Sequence, residues 1–253
     1  VRPTDAGRAF RPYAQRIMAA ACDGAMAVRA VDTEDTGEVK LALVGTLAST
    51  PLTAQLQAFR RRYPKIRLAL HTARSDEVSA LVLAGEAHLG LRYFADTQSE
   101  LASQLVGEEV LRVVCAGQSD LGRDESDTPI GLRGIPWVTF PVGHGSSGEP
   151  FARVLERQLL RCGLEGAETI AIDSLTAQKR LIEADFGVGL LPMSSIEEEV
   201  RLGSLRTLPI PELEVTIPVL LIYRRQGYLS RATRHLIAAL TGVTPADARG
   251  GNP

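Results

Sequence analysis

The chain has 253 residues, which allows one large domain or two of ordinary size. With 45% hydrophobic and 23% charged residues it has the composition of a globular protein with a real core, which excludes a disordered chain. A net charge of −2 excludes a self-sufficient nucleic-acid binder, so any grip on DNA must come from outside this sequence.

The first element is a helix. Thr4 is its N-cap and Asp5 sits in the first turn, facing the positive end of the helix dipole. Phe10, Ala14, Ile17, Ala21, Gly24, Val28 and Val31 follow at alternating spacings of four and three, a heptad seam. The spacing predicts a helix over residues 8–32, roughly 37 Å long, with Pro12 bending or delimiting its early part. Two readings are open: a dimerising helix, or an amphipathic helix lying on its own domain. The strictness of the seam and its place before the first strand favour dimerisation. Residues 32–37 are a polar, Gly-containing break.

Strand and helix then alternate. Strands are expected at 39–44, 66–70, 88–91 and 110–115, with helices at 50–62 and 75–84. Arg60, Arg61 and Arg62 fall in the last turn of the helix at 50–62, where Pro64 stops it. They suit the negative end of the dipole; a phosphate-binding role is the second reading. After a polar crossover at 119–134 the alternation restarts, with strands at 137–140, 169–172, 188–191 and 217–223 and helices at 149–162, 175–184 and 230–240. The Gly/Pro-containing tail at 242–253 is expected to be disordered. Repeated β-α-β units imply a mostly parallel, doubly wound α/β fold, in two series. Ligands in such folds sit where strand ends lead into helix starts, and a cleft between subdomains is a favoured pocket.

Several residues stand at such places. Thr46 follows the first strand, and its hydroxyl with neighbouring backbone N–H groups can hold a carboxylate, or simply cap a helix. Leu47 and Ala48 lie on the same turn. Arg74 can pair with an effector carboxylate or be a solvated surface residue, while Ser75 is expected to cap the next helix. Tyr93 offers a hydroxyl or an aromatic wall, or is a core aromatic. The loop from Phe140 through Gly143 and His144 to Gly148 is Gly-rich enough for close approach to a ligand, and is equally an ordinary connection. Ser174, followed by Leu175, mirrors Thr46 in the second series. Two such helix starts suit a small anion.

No catalytic constellation is present: GxSxG and the Walker lysine motif are both absent, so no catalytic residue is assigned. Cys22, Cys115 and Cys162 form no CxxC and no cluster with the 4 His, which excludes a structural zinc site and a disulfide framework and points to a reducing compartment. Cys115 is read as buried and inert. Cys162 stands beside Arg161, which can lower its pKa; a structural thiol is favoured over a redox switch. No apolar run reaches the ~20 residues needed to span a membrane. The sequence opens without Met and carries no charged-then-apolar leader, and it is read as continuing something larger.

Taken together, the segments resemble a LysR-type transcriptional regulator. Residues 1–10, Val-Arg-Pro-Thr-Asp-Ala-Gly-Arg-Ala-Phe, resemble the end of that family's winged helix-turn-helix running into its linker helix. Residues 37–46, Gly-Glu-Val-Lys-Leu-Ala-Leu-Val-Gly-Thr, resemble the first strand of the regulatory domain. Residues 59–64, Phe-Arg-Arg-Arg-Tyr-Pro, and 83–91, Leu-Ala-Gly-Glu-Ala-His-Leu-Gly-Leu, resemble the following helix end and turn. Asp173-Ser174-Leu175 and residues 187–192 resemble the second subdomain. His88 departs from the pattern, which usually has Asp there.

The resemblance implies an α/β fold with two Rossmann-like subdomains of the periplasmic-binding-protein type after a long linker helix. Residues 1–36 would be the end of the winged helix and the linker, 37–117 with 218–241 subdomain I, and 118–217 subdomain II. It implies a small effector bound in the cleft, with Thr46 among the lining residues; the hydroxyl and backbone donors at these positions point to a small organic anion, and no cofactor is expected. Homodimers or homotetramers, DNA contacted by a domain absent from this chain, and a cytoplasmic location follow. A solute-binding protein for transport shares this fold and is the alternative. An α/β enzyme would need the reactive centre that the sequence lacks.

Overall fold

A computed structural model describes residues 4–29, 36–121, 128–142 and 150–243. Val31, Gly143 and His144 lie outside these residues, as does the tail from 244 onward. The chain divides into two compact units. Unit 1 comprises residues 1–47, 51–107 and 219–253, and unit 2 comprises 48–50 and 108–218.

Helix α1 (Asp5–Arg29) opens unit 1. Thr4 caps it, its Oγ1 accepting from the Gly7 N–H at 3.1 Å. The helix continues through Pro12, so Pro12 does not delimit it. The sheet of unit 1 is built on β1 (Gly37–Val44), β2 (Ile66–Ala73) and β3 (Leu89–Tyr93), with β1 in the middle and parallel to both. The run Leu41 to Val44 is buried throughout, as a central strand covered on both faces requires. β2 is the edge strand, and it is largely polar or half-exposed along its length.

Helices α2 (Thr50–Arg62) and α3 (Ser75–Leu83) connect these strands. α2 buries Leu52 and Phe59, and α3 buries Val78 and Val82. A Cβ on Gly90 of β3 would meet Val78 Cγ1 at 2.8 Å, so only glycine lets α3 lie this close to the sheet.

Two strands carry the chain between the units: β4 (Leu101–Ala116) and β9 (Val215–Arg224). β9 pairs antiparallel with β3, Gly90 opposite Ile222, and is followed by α7 (Arg231–Thr241), which buries Leu236, Ile237 and Leu240. β4 begins nine residues before the strand expected at 110–115. Beyond buried Leu101 its first half runs through half-buried and exposed positions, with polar Ser103, Gln104 and Glu108 among them, and lacks the apolar run of a core strand.

In unit 2, the end of β4 pairs antiparallel with β7 (Gly189–Pro192) and with β8 (Leu205–Leu208). β5 (Trp137–Thr139) and β6 (Thr169–Ala171) pair in parallel. Helices α4 (Pro150–Arg161), α5 (Leu175–Glu183) and α6 (Glu197–Leu202) complete the unit. Val114, Val138, Ile182, Leu191, Ile196 and Leu205 form a core cluster. α6 and β8 have no counterpart in the sequence expectations, being only six and four residues long. The expectation of a mostly parallel sheet is corrected: β7, β8 and β9 make antiparallel pairings, because β4 and β9 run the chain out and back.

Candidate functional site

The carboxyl ends of the three parallel strands of unit 1 lie at one edge of its sheet. Thr46 follows β1, Ser75 follows β2, and Tyr93 ends β3. The register brings them level, with Val44 beside Ala73 and Leu43 beside Leu91. Thr46 and Tyr93 meet: Thr46 Oγ1 lies 3.2 Å from the Tyr93 hydroxyl, and both residues are buried. Tyr93 is therefore a core residue whose polar end reaches this edge. Leu47 is buried and Ala48 exposed on the same short turn.

Ser75 is the first residue of α3 and not its cap. Arg74 occupies the cap position, its N–H donating to Glu77 Oε2 at 3.1 Å. The Ser75 hydroxyl is buried and makes no hydrogen bond among the described residues. The Arg74 guanidinium is half-exposed and paired within its own turn, to Asp76 at 3.5 Å and Glu77 at 3.6 Å. It is held by local carboxylates, and α3 starts with negative charge already at its N-terminus. The start of α2 has no acid in its first turn. Residues 39–75, which contain Thr46, hold no Asp or Glu, while Arg60, Arg61, Arg62, Lys65 and Arg67 of that stretch stand at the far end of α2 from Thr46. Of the two helix starts at this edge, that of α2 has the more favourable field for an anion.

A second polar group supports the same edge and was not foreseen. The Arg92 guanidinium bonds both Asp96 and Ser79 Oγ, and Ser79 Oγ also reaches Asp96 and the Ser75 carbonyl. Burial opposes ionisation of Asp96, but hydrogen bonds from Ser79 and the Gln98 N–H, with the Arg92 charge, hold its carboxyl below the usual range. Phe94, next to Tyr93, adopts φ 58°, a left-handed conformation that a bulky residue takes only under constraint from its surroundings. No spacing rule marks this cluster, because it joins a strand end, a loop and a helix face.

The remaining candidates lie in unit 2. Ser174 caps α5, its Oγ accepting from the Ala177 N–H at 3.4 Å, and is exposed; Leu175 is half-buried. Phe140 is buried, its ring centroid 6.0 Å from that of Phe151. Cys115 is buried. Cys162 is corrected: burial, with a smaller contribution from Glu212, pushes its thiol up and outweighs the opposing Arg161. Among the described residues no group of His, Cys, Asp or Glu can hold a metal ion, and no helix is long and apolar enough to cross a membrane.

The heptad residues occupy one side of α1. Phe10, Ile17 and Val28 are each more than 60% exposed, and Ala21 and Gly24 are exposed. The opposite side is docked on unit 1. Ala19 is buried against the backbone at Gly85, and Asp23 forms a two-pronged ion pair with Arg224 at 2.6 and 2.9 Å. The Tyr228 N–H adds a third bond to Asp23 at 3.2 Å. At about 100° per residue, the two sides stand roughly half a turn apart.

His88 closes the turn between α3 and β3. Its Nδ1 accepts from the Lys40 N–H at 3.2 Å, a bond that an aspartate at this position would also accept. Burial pushes the imidazole below its ordinary value, and the Lys40 charge adds to this.

The model of the LysR substrate binding domain matches residues 32–244. The chain is 27% identical over 209 residues to the uncharacterized HTH-type transcriptional regulator YfiE of Escherichia coli, covering 81% of this chain and 68% of that protein. It is 26% identical over 226 residues to the HTH-type transcriptional regulator TfdS of Cupriavidus pinatubonensis, covering 88% and 74%. A match at 24% identity takes in 83% of this chain but only 41% of a protein named phosphonates import ATP-binding protein PhnC, of Anaeromyxobacter dehalogenans. This chain has no Walker lysine motif for such a role.

Among solved structures, the Synechocystis CcmR regulatory domain in complex with 2-PG superposes with TM-score 0.72 at 18% identity, over 84% of this chain and 99% of that one. The effector binding domain of QuiR in complex with shikimate gives 0.70 at 13%, over 83% and 97%. Full-length CbnR complexed with its target DNA gives 0.68 at 23%, over 94% and 80%. LysR-type regulators bind small-molecule effectors and DNA, oligomerise, and are not enzymes. With its matching segment spanning nearly the whole sequence, the chain belongs to the LysR substrate binding domain family and is the ligand-responsive part of a LysR-type transcriptional regulator.

Proposed function

We propose that the effector is a small organic anion whose charged group is held at the start of α2, by the Thr46 hydroxyl and the backbone N–H groups of Leu47 and Ala48. The observation that carries this is the pairing of two buried hydroxyls, Thr46 and Tyr93, at a strand edge within an acid-free stretch of chain. The unpartnered Ser75 hydroxyl is a further donor at that edge. Arg74 is left out of this reading, since Asp76 and Glu77 already engage it. Shikimate, bound to QuiR, is an anion of this kind. Ser174 is the corresponding hydroxyl of unit 2, and Phe140 and Leu175 would supply apolar contact there. A bound ligand shifts the regulator only through unequal affinity for its two arrangements.

In this reading the seam of exposed Phe10, Ile17, Ala21, Gly24 and Val28 with half-buried Ala14 pairs with a second copy, forming a homodimer or homotetramer in the cytoplasm. DNA is gripped by a helix-turn-helix domain that precedes α1 in the full regulator.

A thermal-shift screen of this chain against organic acids tests the site. An acid that raises the melting temperature should bind Thr46→Ala and Ser75→Ala more weakly, by about tenfold or more if a hydrogen bond to a charged group is lost. Ser174→Ala is the parallel test for unit 2. Unchanged affinity in Thr46→Ala would place the anion elsewhere. Ile17→Glu should lower the mass measured by light scattering if the seam pairs.

A further inference from the structure

We infer that the turn joining α2 to β2 is a contact surface for the phosphate backbone of duplex DNA, separate from any base-reading domain. Arg60, Arg61, Arg62, Lys65 and Arg67 lie within eight residues, and all five are exposed. They fall in the acid-free stretch 39–75 of a chain that carries 30 acidic residues, so the charge is segregated despite a net charge of −2. Arg67 is paired with Glu38 at 3.0 Å, and Arg62 lies over the Tyr63 ring at 5.7 Å. The side chains of Arg60, Arg61 and Lys65 have no hydrogen bond or ion pair among the described residues. The dipole of α2 accounts for one or two cations in its last turn; it does not account for Lys65 and Arg67, which lie beyond it.

The platform is rigid. Phe59 and Ile66 are buried at either side, and Tyr63 is held between Phe59 and His235 at ring distances of 5.1 and 4.4 Å. No large apolar side chain is exposed within residues 60–67, so the exposed surface of the turn is mainly cationic. Phosphate contacts need only such cations, and arginine meets a phosphate with two parallel donors. The location fits as well: Ile66 pairs with Gly37, so the turn lies beside the point where the chain from α1 enters the sheet. The inference rests on the reading that this chain works on DNA, and it adds a second, sequence-independent contact; it departs from the expectation, drawn from net charge alone, that any grip on DNA comes from outside this sequence, because net charge does not report how charge is distributed.

The test is fluorescence anisotropy of this chain with a duplex of arbitrary sequence at 50 and 200 mM salt. With about three phosphates neutralised, affinity should fall about 40-fold between the two salts. The triple variant Arg60→Gln, Arg61→Gln, Lys65→Gln should lose that dependence, while Arg153→Gln, Arg157→Gln, Arg201→Gln in unit 2, with the same charge change, should keep it. Equal salt slopes for the two triple variants would overturn the inference, as would equal affinity for poly-glutamate and DNA. A drop in mass of the first variant by light scattering would also overturn it, by making the cluster a contact between copies. If no salt-dependent binding is seen while an organic acid still raises the melting temperature, this inference falls and the effector reading stands.

Discussion

Replacing Asp23 with alanine removes the fastening between α1 and unit 1. Both partners are well buried, the Asp23 and Arg224 side chains being 15% and 16% exposed. Asp23 accepts two guanidinium bonds and one backbone bond, so its loss leaves Arg224 and the Tyr228 N–H without their partner. Breaking a fully buried pair from one side costs about 3–5 kcal/mol. The partial exposure here lowers that to about 2–3 kcal/mol. The loss falls on the docked state of α1, whose buried Ala19 contact remains and whose exposed Arg16–Glu100 pair at 3.1 Å adds little. Amide hydrogen exchange followed by mass spectrometry reads this directly. Protection in the second half of α1 should fall about 30- to 150-fold, while that of β1 and β3 should hold. The Asp23→Ala, Arg224→Ala double variant should cost less than the sum of the two single variants. A fall below threefold in Asp23→Ala would refute the reasoning, because it would mean that α1 is not held by this pair.

Three further outcomes are expected. Gly117→Ala should destabilise unit 2 severely, since its Cβ would stand 1.8 Å from the Gly203 carbonyl oxygen, in backbone that also carries the Gly117 N–H bond to Ser204; a urea midpoint close to that of the parent chain would contradict this. His88 should make stability sensitive to pH. Its value in the folded state is depressed, by burial first and then by Lys40, with Arg224 adding and Glu38 and Asp23 opposing. The unfolded chain therefore takes up a proton first, so the contribution is fully present above about pH 6.5 and is lost as pH falls through the folded value. Urea midpoints at pH 7.5 and 5.5 should differ more for the parent than for His88→Asp, which keeps an acceptor for the Lys40 N–H. Thiol alkylation should label exposed Cys22 first, Cys162 slowly because its thiolate is disfavoured, and Cys115 only on unfolding; equal rates for Cys22 and Cys162 would count against the burial argument.

The order of strands and helices was legible because periodicity and punctuation agree: Thr50 to Arg62 is a helix in both sequence and structure, ended by Pro64. Short or two-faced elements were not legible. β8 has four residues, and the first half of β4 has too few apolar positions to read as a strand. The directions of the strands depend on where β4 and β9 run, which no local signal states. At the site, the positions of Thr46 and Tyr93 followed from strand ends, but their contact did not, since 47 residues separate them. The engagement of Arg74 by its own helix was readable in principle, from the acids two and three residues later. The Arg92–Asp96–Ser79 group was not, because it depends on how β3 faces α3.

The fastening of α1 through Asp23 has a mechanical consequence. Asp23 lies eighteen residues from Asp5, a distance of about 27 Å along the helix axis. A tilt of only about 5° at that pivot would swing the far tip by about 2 Å. A slight rearrangement of the sheet surface around Arg224 would thus arrive, magnified by leverage, at whatever is attached beyond the first turn.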